Sequence, residues 1–312
     1  MKTYIVRRVI QMVPVLFFTS VIIFGMVHLS PMDPAIILAG GHQTSPETLA
    51  QIRAKYHLDK PIVEQYLLWV RDALHGNLGI SFRLQQDVTS LILQRLPISL
   101  ELVGLAMLLT VLMAFPLGIL AAVYEGRVVD WIASLLAFIG VASPVYFTGI
   151  LGVLLFAFHL GWLPAFGTGD GFLDRLAHLI LPAAALALNM VALTSRMMRA
   201  SMLETLSADY MRTALAKGVS YWGAVLKHAA RNALIPVVTV TGLQVGFLLV
   251  GSVLVEYTFG IGGLGSLIVD GVQNSDYPIV QGTTLFVVVV FLVINLIVDL
   301  LYALIDPRVR YN

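Results

Sequence analysis

Cysteine is absent from all 312 residues, which excludes disulfides, thiolate catalysis and cysteine-ligated metal. Charge is scarce as well. Asp, Glu, Lys and Arg make up 12% of the chain, about half the ~25% of a soluble domain. No Gly-x-x-x-x-Gly-Lys-Ser/Thr loop is present, and the nearest glycine cluster, Gly260 to Gly265, lacks the lysine. None of the seven histidines stands in a His-Glu-x-x-His pair, and Ser143 lies in Val-Ala-Ser-Pro rather than in a glycine-flanked nucleophile turn. Metal-dependent and serine hydrolases therefore lack their usual residues, and any ATP chemistry belongs to another chain. Internal repeats, coiled-coil heptads and low-complexity tracts are also missing. A net charge of +1 gives no footprint for nucleic acid, because the charges sit between the apolar runs.

Apolar sequence is abundant: 58% of the residues are hydrophobic. Runs of roughly 20 apolar residues recur about six times, each long enough to cross a hydrocarbon core of ~30 Å. We place them at Val9 to Leu29, Ile98 to Val123, Ile132 to Phe158, Ala177 to Met198, Ala233 to Val255 and Val280 to Ala303. They are read as helices, which satisfy their own backbone hydrogen bonds in lipid. The first run follows Lys2, Arg7 and Arg8, yet it is longer than a signal core and lacks a small-residue cleavage pattern, so it is read as a retained anchor. Pro182 and Pro236 are assigned to first turns, where a missing donor is harmless. Pro144 lies mid-span and predicts a kink.

Basic residues orient the chain. With the N-terminus inside, the inner segments hold Lys2, Arg7, Arg8, Arg127, Arg196, Arg199, Arg212, Lys217, Lys227, Arg231, Arg308 and Arg310, against Arg175 alone in the two short outer loops. Both termini are then cytoplasmic. The segment 30–97 is external and helical: Thr44 with Glu47 suggests a capping box, Pro46 suits a first turn, and Leu49, Ile52 and Tyr56 recur at helical spacing. Pro61 opens a second amphipathic stretch through Tyr66, Trp69 and Val70, ending near Gly76. The domain reading is thus 1–29, tail and first span; 30–97, external segment; and 98–312, a five-helix core with an inner loop at 199–232.

That inner loop is a polar, basic island between two long apolar segments. A helix-forming run from about Leu206 to Lys217 stops at Gly218, which can take the left-handed conformation that closes a helix, and Ser220 is placed to cap the next one. Charge alone also suits a basic loop resting on anionic headgroups.

Thr213-Ala214, Lys217-Gly218 and the run from Arg231 to Pro236 resemble the cytoplasmic loop of binding-protein-dependent ABC transporter permeases, in the version found in dipeptide, oligopeptide, nickel and glutathione importers. Further matches are Pro31-Met32-Asp33-Pro34, Gly263-Leu264-Gly265, Asp276-Tyr277-Pro278 with Gln281, and the ending Asn295, Asp299, Tyr302, Asp306-Pro307-Arg308. Arg212 stands where the wider loop motif has Glu, and the interval to Pro236 is longer, as suits the peptide branch. Met32 replaces a family Gly, and Ile261-Gly262 replaces a usual Trp-Pro.

The resemblance implies an all-α integral membrane protein of the type I ABC importer permease fold, with six transmembrane helices and a coupling helix, in a bacterial plasma (inner) membrane. It implies four partners besides the bilayer: a second related permease, two ABC ATPase subunits or domains, and an external solute-binding protein. ATP and Mg would be bound by the ATPases, with no cofactor in this chain, and transport would proceed by alternating access. The coupling set is Asp209, Tyr210, Met211, Arg212, Thr213, Ala214, Leu215, Lys217 and Gly218. Met211, Ala214 and Leu215 would face a groove on the ATPase, Asp209 and Arg212 would pair, and Lys217 would meet acidic partner residues. The solute is expected to be a di- or oligopeptide, with nickel complexes, glutathione or opines as alternatives within the family. An ion-coupled secondary transporter is the alternative outside it.

Polar residues inside the spans are Glu101, Asn189, Gln244, Asn295 and Asp299. Glu101 and Asp299 lie near span ends and are read as structural. Asn189 and Gln244 lie deeper; interhelix hydrogen bonding is their default role, and they are also candidates for lining the pathway. Gly242, Gly246 and Gly251 are read as marks of close helix packing.

Overall fold

The computed structural model describes residues 2–28, 35–36, 45–55 and 57–305. The Pro31 to Pro34 motif, Thr44, Tyr56 and the motif from Asp306 to Arg308 lie outside them. Among the described residues the regular structure is helical, apart from one isolated bridge between Ile80 and Asp87. In chain order the helices are α1 (Lys2–His28), α2 (Pro46–Lys55), α3 (Ile62–Leu74), α4 (Val88–Val123), α5 (Val128–Ala142), α6 (Val145–Gly152, continued in π form over Val153–His159) and α7 (Phe172–Leu206). They continue with α8 (Asp209–Ala216), α9 (Tyr221–Ala224, continued in π form over Val225–Ala229), α10 (Ala230–Thr258), α11 (Leu264–Gln273) and α12 (Tyr277–Ile305).

Segments of α1, α4, α7 and α12 are long and apolar enough to cross a membrane, and two bent pairs raise the count to six if each is one span. One pair is α5 with α6 and its continuation, bent by 111° between Ala142 and Val145. Ser143 is extended, as the residue before a proline prefers, and Pro144 opens the new helix. The expected kink is therefore a full break. The other pair meets at a 44° bend between Gly242 and Gln244.

Two proline assignments are corrected. Pro182 lies ten residues past Phe172, and Pro236 six past Ala230, so both are interior to their helices. The polar residues Asp174, Arg175 and His178 extend α7 beyond its apolar run. A proline there removes a donor without ending the helix, because tertiary burial overrides local propensity; Pro182 is itself buried.

The chain divides into two compact units, Met1–Pro97 with Gly262–Leu292 and Ile98–Ile261 with Val293–Asn312. In the first, α2 begins at Pro46 with Ser45 as its cap, its hydroxyl accepting the Thr48 N–H at 3.2 Å. The amphipathic α3 lies on α1 through a Ser20–Tyr66 hydroxyl bond of 2.8 Å and ring contacts of Phe24 with Tyr66 and Trp69. Buried Asp276, from the Asp-Tyr-Pro motif, fastens a distant loop. Its carboxylate accepts the Ser81 hydroxyl at 2.6 Å and the N–H groups of Phe82 and Arg83 at 3.1 Å. Val88, Ile92, Leu264, Leu267 and Ile279 form the core beside it.

The second unit is built around α7, whose apolar window is 56% buried. Its neighbours pack by small residues. On α5, Asp130, Ala133, Ala137 and Gly140 are buried, while Trp131, Leu135, Leu136 and Phe138 are exposed. This inside-out pattern suits a membrane, where close backbone approach replaces the hydrophobic drive between helices. A Cβ on Gly118 would lie 2.5 Å from the Met198 Cβ, and one on Gly140 would lie 2.9 Å from the Ala192 Cβ. Gly242 and Gly251 meet Val298 and Leu186 in the same way, and Gly246 is buried.

Candidate functional site

The island folds as two short helices held against the base of α7 and α10. Eight residues cannot sustain an isolated helix, so α8 depends on its ends and its inner face. Asp209 sits in the first turn, where a carboxylate complements the helix dipole. At the other end Gly218 has φ +83°. Its N–H donates to the Leu215 carbonyl at 3.0 Å and the Val219 N–H to the Ala214 carbonyl at 3.2 Å, the two bonds of a Schellman closure. Ser220 then caps α9, its hydroxyl accepting the Gly223 N–H at 3.2 Å. The helix, left-handed glycine and capping serine thus appear as the sequence indicated.

The inner face of α8 differs from the expectation. Met211 and Ala214 are 3% and 9% exposed and belong to a cluster with Met198, Met202, Ala122, Ala224 and Val225. They dock the loop on its own bundle, which corrects the expectation that they face a partner. The physical reason is their spacing: positions i and i+3 with Val219 form the one apolar stripe a short helix has, and it must be buried to fix the helix at all. The outer face consists of Asp209, Tyr210, Arg212, Thr213, Leu215 and Lys217, all exposed. Arg212 Nη1 is 4.0 Å from Asp209 Oδ1 with both side chains nearly bare to solvent, so the anticipated pair adds little stability.

Tyr221, Trp222 and Leu226 are exposed beside this face, the two rings meeting edge-on at 6.2 Å. Sequence reasoning missed them. The available signal was an aromatic dipeptide directly after a capping serine in an otherwise polar loop. Past them, the Ala230 N–H bonds to the Val225 carbonyl in a π-turn carrying Lys227 and His228.

The polar span residues are placed apart from the loop. Asn189 donates to the Gly140 carbonyl at 3.4 Å, linking α7 to α5. Gln244 is half-buried on α10 beside the 44° bend. Glu101 pairs with Arg175 at 3.1 Å, each side chain 40% exposed, on the rim of a cavity of about 480 Å³ lined also by Leu105, Phe172 and Leu179. Arg199, at the base of the loop, forms a bidentate pair with Asp130, from Nε to Oδ1 at 2.6 Å and from Nη2 to Oδ2 at 2.8 Å. Among the described residues no group of three or more His, Asp or Glu could hold a metal ion.

Two family descriptions match this chain: "Binding-protein-dependent transport system inner membrane component" over residues 114–311, and its N-terminal counterpart over residues 1–103. Similar proteins include the glutathione transport system permease protein GsiC of Escherichia coli O6:H1, 40% identical over 312 residues, and a putative peptide transport system permease protein of Brucella abortus (strain 2308), 42% identical over 315. The dipeptide transport system permease protein DppB of Escherichia coli K12 is 39% identical over 338. In all three, both chains are covered completely. Among solved structures, "Crystal structure of an amino acid ABC transporter with histidines" matches at TM-score 0.51 and 18% identity over 70% of this chain and 94% of that one, a likeness of fold. A mostly helical, multi-span chain with these matches along its whole length belongs to the binding-protein-dependent transport system inner membrane components, as a permease subunit of an ABC importer.

Proposed function

We propose that this permease imports di- or oligopeptides and that the outer face of α8 with α9 is where it receives the motion of an ATPase subunit. The observation that carries the reading is the division of the loop: Met211 and Ala214 fix it to the bundle, leaving Tyr210, Arg212, Leu215, Lys217, Tyr221 and Trp222 outward. Aromatic and arginine side chains around an apolar patch are the composition of interface hot spots. A loop seated rigidly on α7 and α10 can pass a push to the spans, whereas a loop resting on lipid has no need of that seat.

In this reading ATP and Mg are bound by two partner ATPases, and a second, related permease completes the pathway. An external binding protein delivers solute. Both termini and the loop are cytoplasmic in this reading and segment 30–97 is external, which the excess of Lys and Arg in the inner segments supports. The segment 98–312 is the transport core, with Asn189 and Gln244 as candidates for its pathway. The relatives are named as permeases of a glutathione, a putative peptide and a dipeptide transport system, so short peptides are the favoured solute class and glutathione the second reading.

The test is import into vesicles holding the complete assembly. Labelled dialanine should accumulate only with ATP inside the compartment that holds the ATPases, and unlabelled dipeptide should compete. Accumulation driven by a proton or sodium gradient without ATP would refute the reading.

A further inference from the structure

Asp130 and Arg199 are 69 positions apart and meet where the loop joins the bundle. The Asp130 carboxylate is buried and accepts both Arg199 bonds, together with the Gly126 N–H at 3.0 Å from the turn between α4 and α5. On α7, Arg199 follows Met198 and precedes Met202, both wholly buried in the cluster that seats α8. One stretch of α7 therefore holds the loop and also grips the start of α5. The far end of α5 is the break at Ser143 and Pro144.

The rest of the buried α5 face is Ala133, Ala137 and Gly140. Small residues let helices approach closely but give little resistance to sliding or rotation. A two-bond guanidinium–carboxylate fork fixes both distance and angle. We propose that Asp130 and Arg199 are a positioning pair that makes α5 move with the loop, so that displacement of α8 reaches the break at Pro144 instead of dissipating in the turn around Gly126. The proposal rests on the reading of α8 as the ATPase contact.

The test reads movement at the break and needs no solute. Since the chain has no cysteine, Tyr146→Cys, at an exposed position on α6, gives this chain a single thiol, whose labelling in the complete assembly is read on the permease after the subunits are separated. Its labelling rate is compared with and without ATP plus vanadate. We expect a change of about fivefold or more in the parent, the lower end of ordinary coupling between sites, and under about twofold after D130N or R199K. Because D130N strips the partly buried Arg199 cation, its side chain 30% exposed, of its partner, D130L/R199M is the control: removing both charges leaves no unpaired charge at the site and no fork, so it should reach the membrane normally and still fail to respond. A parent-like response in D130L/R199M, or in both single variants, overturns the proposal, as does absence of D130L/R199M from the membrane, which would make the pair a folding element. A parent without any nucleotide response overturns the ATPase-contact reading along with it.

Discussion

Replacement of Gly218 isolates one physical demand of the loop. Its φ is +83°, and a Cβ built there meets no atom within 4 Å, so a side chain would clash with nothing beyond its own backbone. The cost is then purely conformational, about 1–2 kcal/mol for a left-handed residue with a Cβ and more for a β-branched one. Asparagine, which visits this region more readily, should cost least. At ~1.4 kcal/mol per tenfold, that cost shifts the balance of closed to open loop by about five- to thirtyfold for Gly218→Ala, and by more for Gly218→Val. Apparent affinity for the ATPase falls in proportion to the closed fraction. ATP hydrolysis titrated with increasing ATPase subunit should therefore rank Gly, Asn, Ala, Val from strongest to weakest, with permease levels in the membrane unchanged. A valine variant titrating like the parent would refute the Schellman closure as a functional requirement.

The remaining predictions follow from burial and bonding. Ala214→Glu places a carboxylate in a buried cluster and should release the whole loop, seen as protease cleavage between α7 and α10, whereas Thr213→Glu on the exposed face should leave the loop protected. Trp222→Ala should weaken ATPase binding by ~2 kcal/mol if the ring is an interface anchor, read from the same titration. Asp276→Asn should cost about 1–3 kcal/mol by weakening the acceptor for Ser81, Phe82 and Arg83, detected as faster hydrogen exchange at 81–84. Gln51→Cys should label from outside intact cells and Ser207→Cys only after permeabilisation; the reverse pattern would invert the topology.

Much of the architecture was legible because lipid leaves the chain few choices. Long apolar runs gave the spans, and the glycine–serine punctuation gave the loop its closure and cap. What escaped was decided by tertiary packing. The sequence spacing of Met211 and Ala214 shows an apolar stripe but not whether the chain itself or a partner covers it; the bundle does. Pro182 reads as a helix start because the apolar run begins near it, yet polar residues carry α7 further outward. Pro144 signalled a perturbation, but not the size of the bend. Asp130 carries no signal in the sequence, since its partner Arg199 lies 69 positions away and no local pattern links them.

The central claim, that the outer face of α8 meets an ATPase, is tested most directly by site-specific cross-linking. With single cysteines placed at Thr213, Leu215 and Met211, a short thiol-directed photocrosslinker should capture the ATPase subunit from positions 213 and 215 and not from buried 211. The yield should change when ATP and vanadate are added. Equal capture from all three positions, or capture of lipid alone from 213 and 215, would contradict the account.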